Sequence, residues 1–197
     1  MIAAKFPRKI VTGRDAPAPD VEKLLKRDAY PNYLDYFLNG IAELGAKAGP
    51  LLLQFPKFAK KAFPEPGPFL DRLDAYLAGL PATFRYAVEV RNPEWISAPL
   101  LALLKKHRAA LALAELADFP AVEVTTDFVY VRLLGDRKKM ESLTQTFDKA
   151  VVDRSESLAR WASVLKPMNG RVYAYASDYY AGHGPGTASR LGGMLSS

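Results

Sequence analysis

Glu89 and Arg91 stand two residues apart in YAVEVRNPEW (residues 86–95), inside a run whose other members, Ala87, Val88 and Val90, suit a buried strand. Side chains two apart on a strand point the same way, so the acid and the base share a face. Such a pair can hold an anion on the guanidinium while the carboxylate moves a proton. Other apolar runs also end in a polar group: Lys5, Gln54, Glu115, Arg132 and Asp178. His183 lies in AGHGPG, between glycines that let a backbone approach a ligand closely. These residues name a chemistry. Glu89 and His183 are the candidate catalytic proton-transfer groups. Lys5, Gln54, Arg91, Arg132 and Asp178 are candidate substrate-binding residues, with Arg91 and Arg132 holding the anion, and Trp95 could wall the pocket.

Each reading has a plainer rival. Glu89 and Arg91 could be a buried ion pair that fixes strand register. Arg132 could satisfy loop carbonyls, and Glu115 could cap the turn that follows it. His107 reads as a surface or C-cap histidine, Gln54 as a structural residue, and Trp95 and Trp161 as packing residues. Glu89, Glu115, Asp178 and His183 have the donor types for manganese or magnesium, but no short ligand spacing supports a metal site, and none is expected. The chain has no Walker loop, no dinucleotide fingerprint and no GxSxG elbow, so no cofactor is expected either.

The elements that must position these groups follow from hydrophobic periodicity. Short apolar runs at Ile2 to Phe6, Leu51 to Phe55, Tyr86 to Val90, Ala109 to Ala114, Phe128 to Leu134 and Val172 to Ala176 read as strands. Between them lie helix-period segments. Leu34, Phe37, Leu38, Ile41 and Leu44 form one, and Leu70, Leu73, Leu77 and Leu80, with Pro68 in the first turn, form another. Ser97 is the expected cap of a third, carrying Leu100, Leu103 and Leu104, with Lys105, Lys106 and His107 in its last turn. Asp153 and Glu156 suggest a capping-box variant before Leu158, Trp161, Ala162 and Leu165. A last short helix is expected over 187–195. Six strands alternating with helices argue for a parallel α/β sheet, and ligands of such sheets bind at the carboxyl ends of the strands.

Bulk properties narrow the function classes. The 197 residues include no cysteine, which removes disulfides, zinc–thiolate sites and thiol nucleophiles together. No run of about 18 apolar residues occurs and MIAAKFPRK lacks a signal-peptide core, so a cytoplasmic chain with no membrane partner is expected. The net charge of +6 favours anionic ligands. Its clusters are short: Lys57, Lys60 and Lys61, then Arg137, Lys138 and Lys139.

Five stretches together resemble the motifs of the YecE-like family, known as domain of unknown function 72: KFPRKIV (residues 5–11), LLLQFP (51–56), AVEVRNPEW (87–95), DFVYVRLLGDRK (127–138) and VYAYASDYYAGHGPGTASRL (172–191). The resemblance implies a TIM-type (β/α) barrel whose activity is not established. It places Gln54, Glu89, Arg91, Asn92, Trp95, Arg132, Gly135 and His183 on motif positions around the barrel mouth and so adds Asn92 to the substrate-binding candidates. Members of that family carry two further βα units before KFPRKIV, so the resemblance implies one barrel domain over 1–197, truncated at its N-terminus, with about six units. Ser177 and Asp178 stand where the family has an Asn pair, and the segment between Glu115 and Asp127 is short. The resulting expectation is an enzyme-like protein acting on a small anionic or phosphorylated substrate. The alternatives are a nucleic-acid-binding or processing protein, or a truncated member without activity. The oligomeric state is open.

Overall fold

A computed structural model describes residues 1–16, 18–116 and 118–197, and the chain divides into two compact units, residues 1–111 and 112–197. The first unit contains β1 (Ile2–Lys5), β2 (Ala48–Gln54), β3 (Tyr86–Glu89) and the first two residues of β4 (Ala110–Glu115). Its helices are α1 (Arg8–Thr12), α2 (Tyr33–Ala42), α3 (Gly67–Ala78) and α4 (Ala98–Lys106). The second unit holds the rest of β4, β5 (Phe128–Leu133) and β6 (Arg171–Ala176), with α5 (Arg137–Leu143), α6 (Ser155–Leu165), α7 (Asp178–Ala181) and α8 (Gly184–Ser196). All pairings are parallel, and the strands neighbour one another in chain order. The expected α/β class with helical crossovers is therefore present.

Register decides which face each side chain takes. In the first unit Lys5 pairs with Leu52 and Leu52 with Ala87, while Gln54 pairs with Glu89. Lys5, Leu52, Gln54, Ala87 and Glu89 consequently share one face, and Leu51, Leu53, Phe55 and Val88 take the other. That second face is the helix side. Phe55 meets Phe69 of α3 with ring centroids 4.9 Å apart, and Phe6 meets Phe37 of α2 at 5.0 Å. In the second unit the alternation gives Ala112, Ala114, Tyr130, Arg132, Tyr173 and Tyr175 one face and Leu113, Glu115, Val131 and Leu133 the other. Leu113, Val131 and Leu133 are buried there with Leu158, Trp161 and Leu165 of α6.

The strands and long helices fall where periodicity put them. Short helices do not. The five residues of α1 span barely more than one turn and cannot display a period. α5 is set by its cap, Asp136, whose carboxylate accepts the Lys139 amide N–H at 3.1 Å. α7 starts similarly, from Ser177. α8 begins at Gly184, three residues before the expected start, because Pro185 in the first turn has no amide to lose there. Two caps differ from expectation. Ser97 holds the cap position of α4, but its hydroxyl reaches back to the Trp95 carbonyl at 3.3 Å. Asp153 lies one residue before the cap of α6 and accepts the Ser155 amide N–H at 2.8 Å. No helix among the described residues is long and apolar enough to cross a membrane.

Candidate functional site

Glu89 ends β3 almost wholly buried, with its side chain at 1% exposure, and Arg91 lies just beyond at 22%. The Arg91 Nε–H donates to Glu89 Oε1, so the charges meet within the chain and the guanidinium is their solvent-facing half. The neighbouring strand is locked alongside, since the Phe55 amide donates to the Glu89 carbonyl at 2.9 Å and Gln54 is the register partner of Glu89. Lys5 and Gln54, on the same face, line a cavity of about 560 Å³ at the exits of β1 and β2. Arg8 and Thr12 of α1 line it too. Thr12 Oγ1 lies 2.9 Å from the Arg8 carbonyl oxygen and 2.6 Å from that of Arg14, so its single proton is committed to the backbone.

Asn92 and Trp95 serve the loop after β2. The Asn92 amide accepts the Phe58 N–H at 2.8 Å and donates to the Phe58 carbonyl at 3.0 Å, a two-point clamp that holds the chain between Lys57 and Lys60. Trp95 is 5% exposed and stacks on Phe58 at 5.6 Å, with Phe63 and Phe69 completing the cluster. Both residues position the strand exit, and neither offers much surface to a ligand.

The second unit carries Arg132, Asp178 and His183. Arg132 lies half-buried on the tyrosine face, its register partner Tyr175 tilted against Tyr130 with ring centroids 5.0 Å apart, and burial raises the Tyr175 hydroxyl above its ordinary pKa. Asp178 accepts the Gly184 amide N–H at 2.8 Å, tying α7 to the start of α8. A Cβ at Gly184 would come 2.8 Å from the Ala176 carbonyl oxygen, and one at Gly186 would come 2.7 Å from His183 Nδ1. The glycines of AGHGPG thus admit the chain's own backbone and its own imidazole. Gly135 makes room for a neighbouring segment, since at φ 69° its missing side chain leaves space for the Tyr179 carbonyl oxygen, which a Cβ would approach to 2.3 Å.

Glu115 is the polar centre that strand-end counting left undecided. At 3% exposure it accepts from Ser157 Oγ at 2.7 Å, Trp161 Nε1 at 2.5 Å and the Tyr180 hydroxyl at 3.0 Å. Alternation with Leu113 places it on the helix side of β4, where α6 and α7 supply the donors. The spacing Ser157 to Trp161, one helical turn, was the available signal. Among the described residues, no group of three or more His, Asp or Glu side chains comes together that could hold a metal ion. His107 caps α4 and binds Asp74 of α3 through Nε2 at 2.6 Å, beside Lys106 Nζ at 2.7 Å.

The sequence family described as "Protein of unknown function DUF72" matches residues 1–197. The chain belongs to the DUF72 family. Two solved DUF72 proteins share its fold. That from Thermotoga maritima MSB8 is 19% identical with a TM-score of 0.60, over 99% of this chain and 73% of its own. That from Enterococcus faecalis V583 is 14% identical with a TM-score of 0.54, over 94% and 72% respectively. Comparison with curated proteins gives no match. At these identities the DUF72 structures speak to fold alone, and the family's function is not characterised.

Proposed function

We propose that this DUF72 chain is an enzyme of the TIM-type barrel class, cytoplasmic, that acts on a small anionic substrate at the carboxyl ends of its strands. The reading is carried by one observation: Glu89 and Arg91 are paired at the exit of β3, on the face that also bears Lys5 and Gln54, with the base more exposed than the acid. An arriving anion meets the guanidinium first. Binding there competes with Glu89 for Arg91 and leaves the carboxylate beside the ligand to accept a proton. Asn92 and Trp95 hold the exit in shape. The second unit, taken by itself, carries Arg132 as a candidate anion holder, His183 as a candidate proton-transfer group and Asp178 as a candidate binding residue. Parallel strands in chain order and the DUF72 likeness support the barrel.

The test is a thermal unfolding series with the full chain against carboxylates, phosphate esters, neutral sugars and divalent metals. A ligand held only by the folded state contributes about 2.7 kcal/mol at a hundredfold excess over its dissociation constant. An anion class is expected to raise the midpoint, and Arg91→Gln to remove most of that rise. A panel in which no anion shifts the midpoint would sink the reading.

A further inference from the structure

The cavity at the exits of β1 and β2 holds two cations, Lys5 and Arg8, and none of the described residues lining it is acidic. Both side chains are exposed, and among the described residues neither has an ion pair or hydrogen bond. Two positive charges drawn to one concavity repel each other, and a dianion there relieves the repulsion of both. A carboxylate brings one charge and two oxygens. A phosphate monoester brings a charge of about −1.5 to −2 and three acceptor oxygens at neutral pH. We propose that Lys5 and Arg8 form a phosphate subsite, and that the ligand is the phosphomonoester of a small hydroxylated molecule.

The guanidinium fork matches two phosphate oxygens and the ammonium serves as a point charge for the third. About 560 Å³ is within the usual range for small-molecule sites and well above the bulk of one phosphate, so an organic portion is accommodated. Its character follows from the wall. Phe6 and Val11 are each about 95% buried and the half-buried Pro56 supplies an apolar patch, while the Gln54 amide on the same wall has both donor and acceptor atoms of the kind a hydroxyl meets. The inference rests on the anionic-substrate reading and deepens it. Gln54 lies in register beside Glu89, so the far end of such a ligand would extend toward the proposed proton-transfer group.

The experiment is calorimetric titration of the full chain, at fixed ionic strength, with inorganic phosphate, glycerol phosphate, glycerate and a single-stranded DNA oligonucleotide. Four variants accompany it, one of them the Arg91→Gln already described. Arg8→Gln and Lys5→Gln each remove a cavity cation, and Lys61→Gln removes one exposed charge elsewhere as a control. Glycerol phosphate is expected to bind more tightly than glycerate. Arg8→Gln and Lys5→Gln should each weaken it by about tenfold or more, and Lys61→Gln by less than about twofold. Glycerate binding as tightly as glycerol phosphate would overturn the phosphate assignment while leaving the anionic-substrate reading intact. Phosphate binding that survives Arg8→Gln and Lys5→Gln but is lost in Arg91→Gln would move the anion to Arg91 and overturn this subsite alone. Preferential binding of the oligonucleotide, weakened equally by Lys61→Gln, would overturn both, as would an absence of anion binding.

Discussion

A buried carboxylate is tolerable only when its oxygens are satisfied, and this chain satisfies two of them differently. Glu115 takes three neutral donors from Ser157, Trp161 and Tyr180. Glu89 meets a cation, Arg91. The first arrangement fixes helices to a strand and leaves the carboxylate no free face, so its role is structural. In Glu115→Gln an NH₂ replaces one acceptor oxygen and opposes at least one donor. We expect a loss of about 2–3 kcal/mol in urea unfolding, with Tyr180→Phe costing about 1–1.5 kcal/mol. For the Glu89–Arg91 pair a double-mutant cycle with Glu89→Gln and Arg91→Gln should give a coupling of about 1–3 kcal/mol in stability, reflecting a charge left without its partner. A cycle that closes to zero would mean that the contact contributes nothing to the fold.

Elements are joined here by small numbers of specific contacts. α3 and α4 meet through Asp74, which accepts from Lys106 and His107, and those hydrogen bonds hold its carboxyl below the ordinary pKa, that of Lys106 most strongly. A folded value below the unfolded one means that the stabilisation is complete above the ordinary carboxylate pKa and is lost as the pH falls through the lowered value. Asp74 and Lys106 are well exposed, so solvent screening limits the effect to about 0.5–1 kcal/mol. Asp74→Asn should therefore flatten the acid limb of the stability–pH curve, and high salt should shrink the difference between the two proteins. An unchanged acid limb would remove this clamp from the account. Gly135 links the exit of β5 to α7 by steric room, with the Tyr179 carbonyl oxygen 2.3 Å from where a Cβ would sit. Gly135→Ala combines a positive φ with that clash, and an expected cost of about 2 kcal/mol or more is measurable as a lowered urea midpoint.

At the scale of the whole molecule, the net charge of +6 attracts anions of every kind, so charge alone does not separate a small phosphomonoester from a nucleic acid. Salt dependence does. A ligand with a single phosphate should lose less than about tenfold in affinity between 50 and 200 mM salt. A protein contacting six to ten nucleic-acid phosphates would lose about 10³–10⁵ over that range. The short clusters at Lys57 to Lys61 and Arg137 to Lys139 lead us to expect the shallow slope.

The sequence by itself determined the alternation of strands and helices, the parallel α/β class and the family, because hydrophobic period and motif order are local properties of the chain. It also identified Glu89 with Arg91 and Lys5 with Gln54 as polar ends on apolar strands. It did not tell positioning residues from exposed ones. Asn92 and Trp95 look like pocket residues in the string, yet a two-point hydrogen bond to Phe58 and an aromatic cluster engage them within the fold. Glu115 resembles its strand-end counterparts until alternation assigns it to the helix side, where donors from α6 and α7 meet it. Arg8 carried no signal, since a five-residue helix has no readable period and only folding brings its guanidinium to the cavity that Lys5 and Gln54 line. Which polar group faces solvent and which is consumed by the chain depends on partners from distant segments, and tertiary packing alone supplies those.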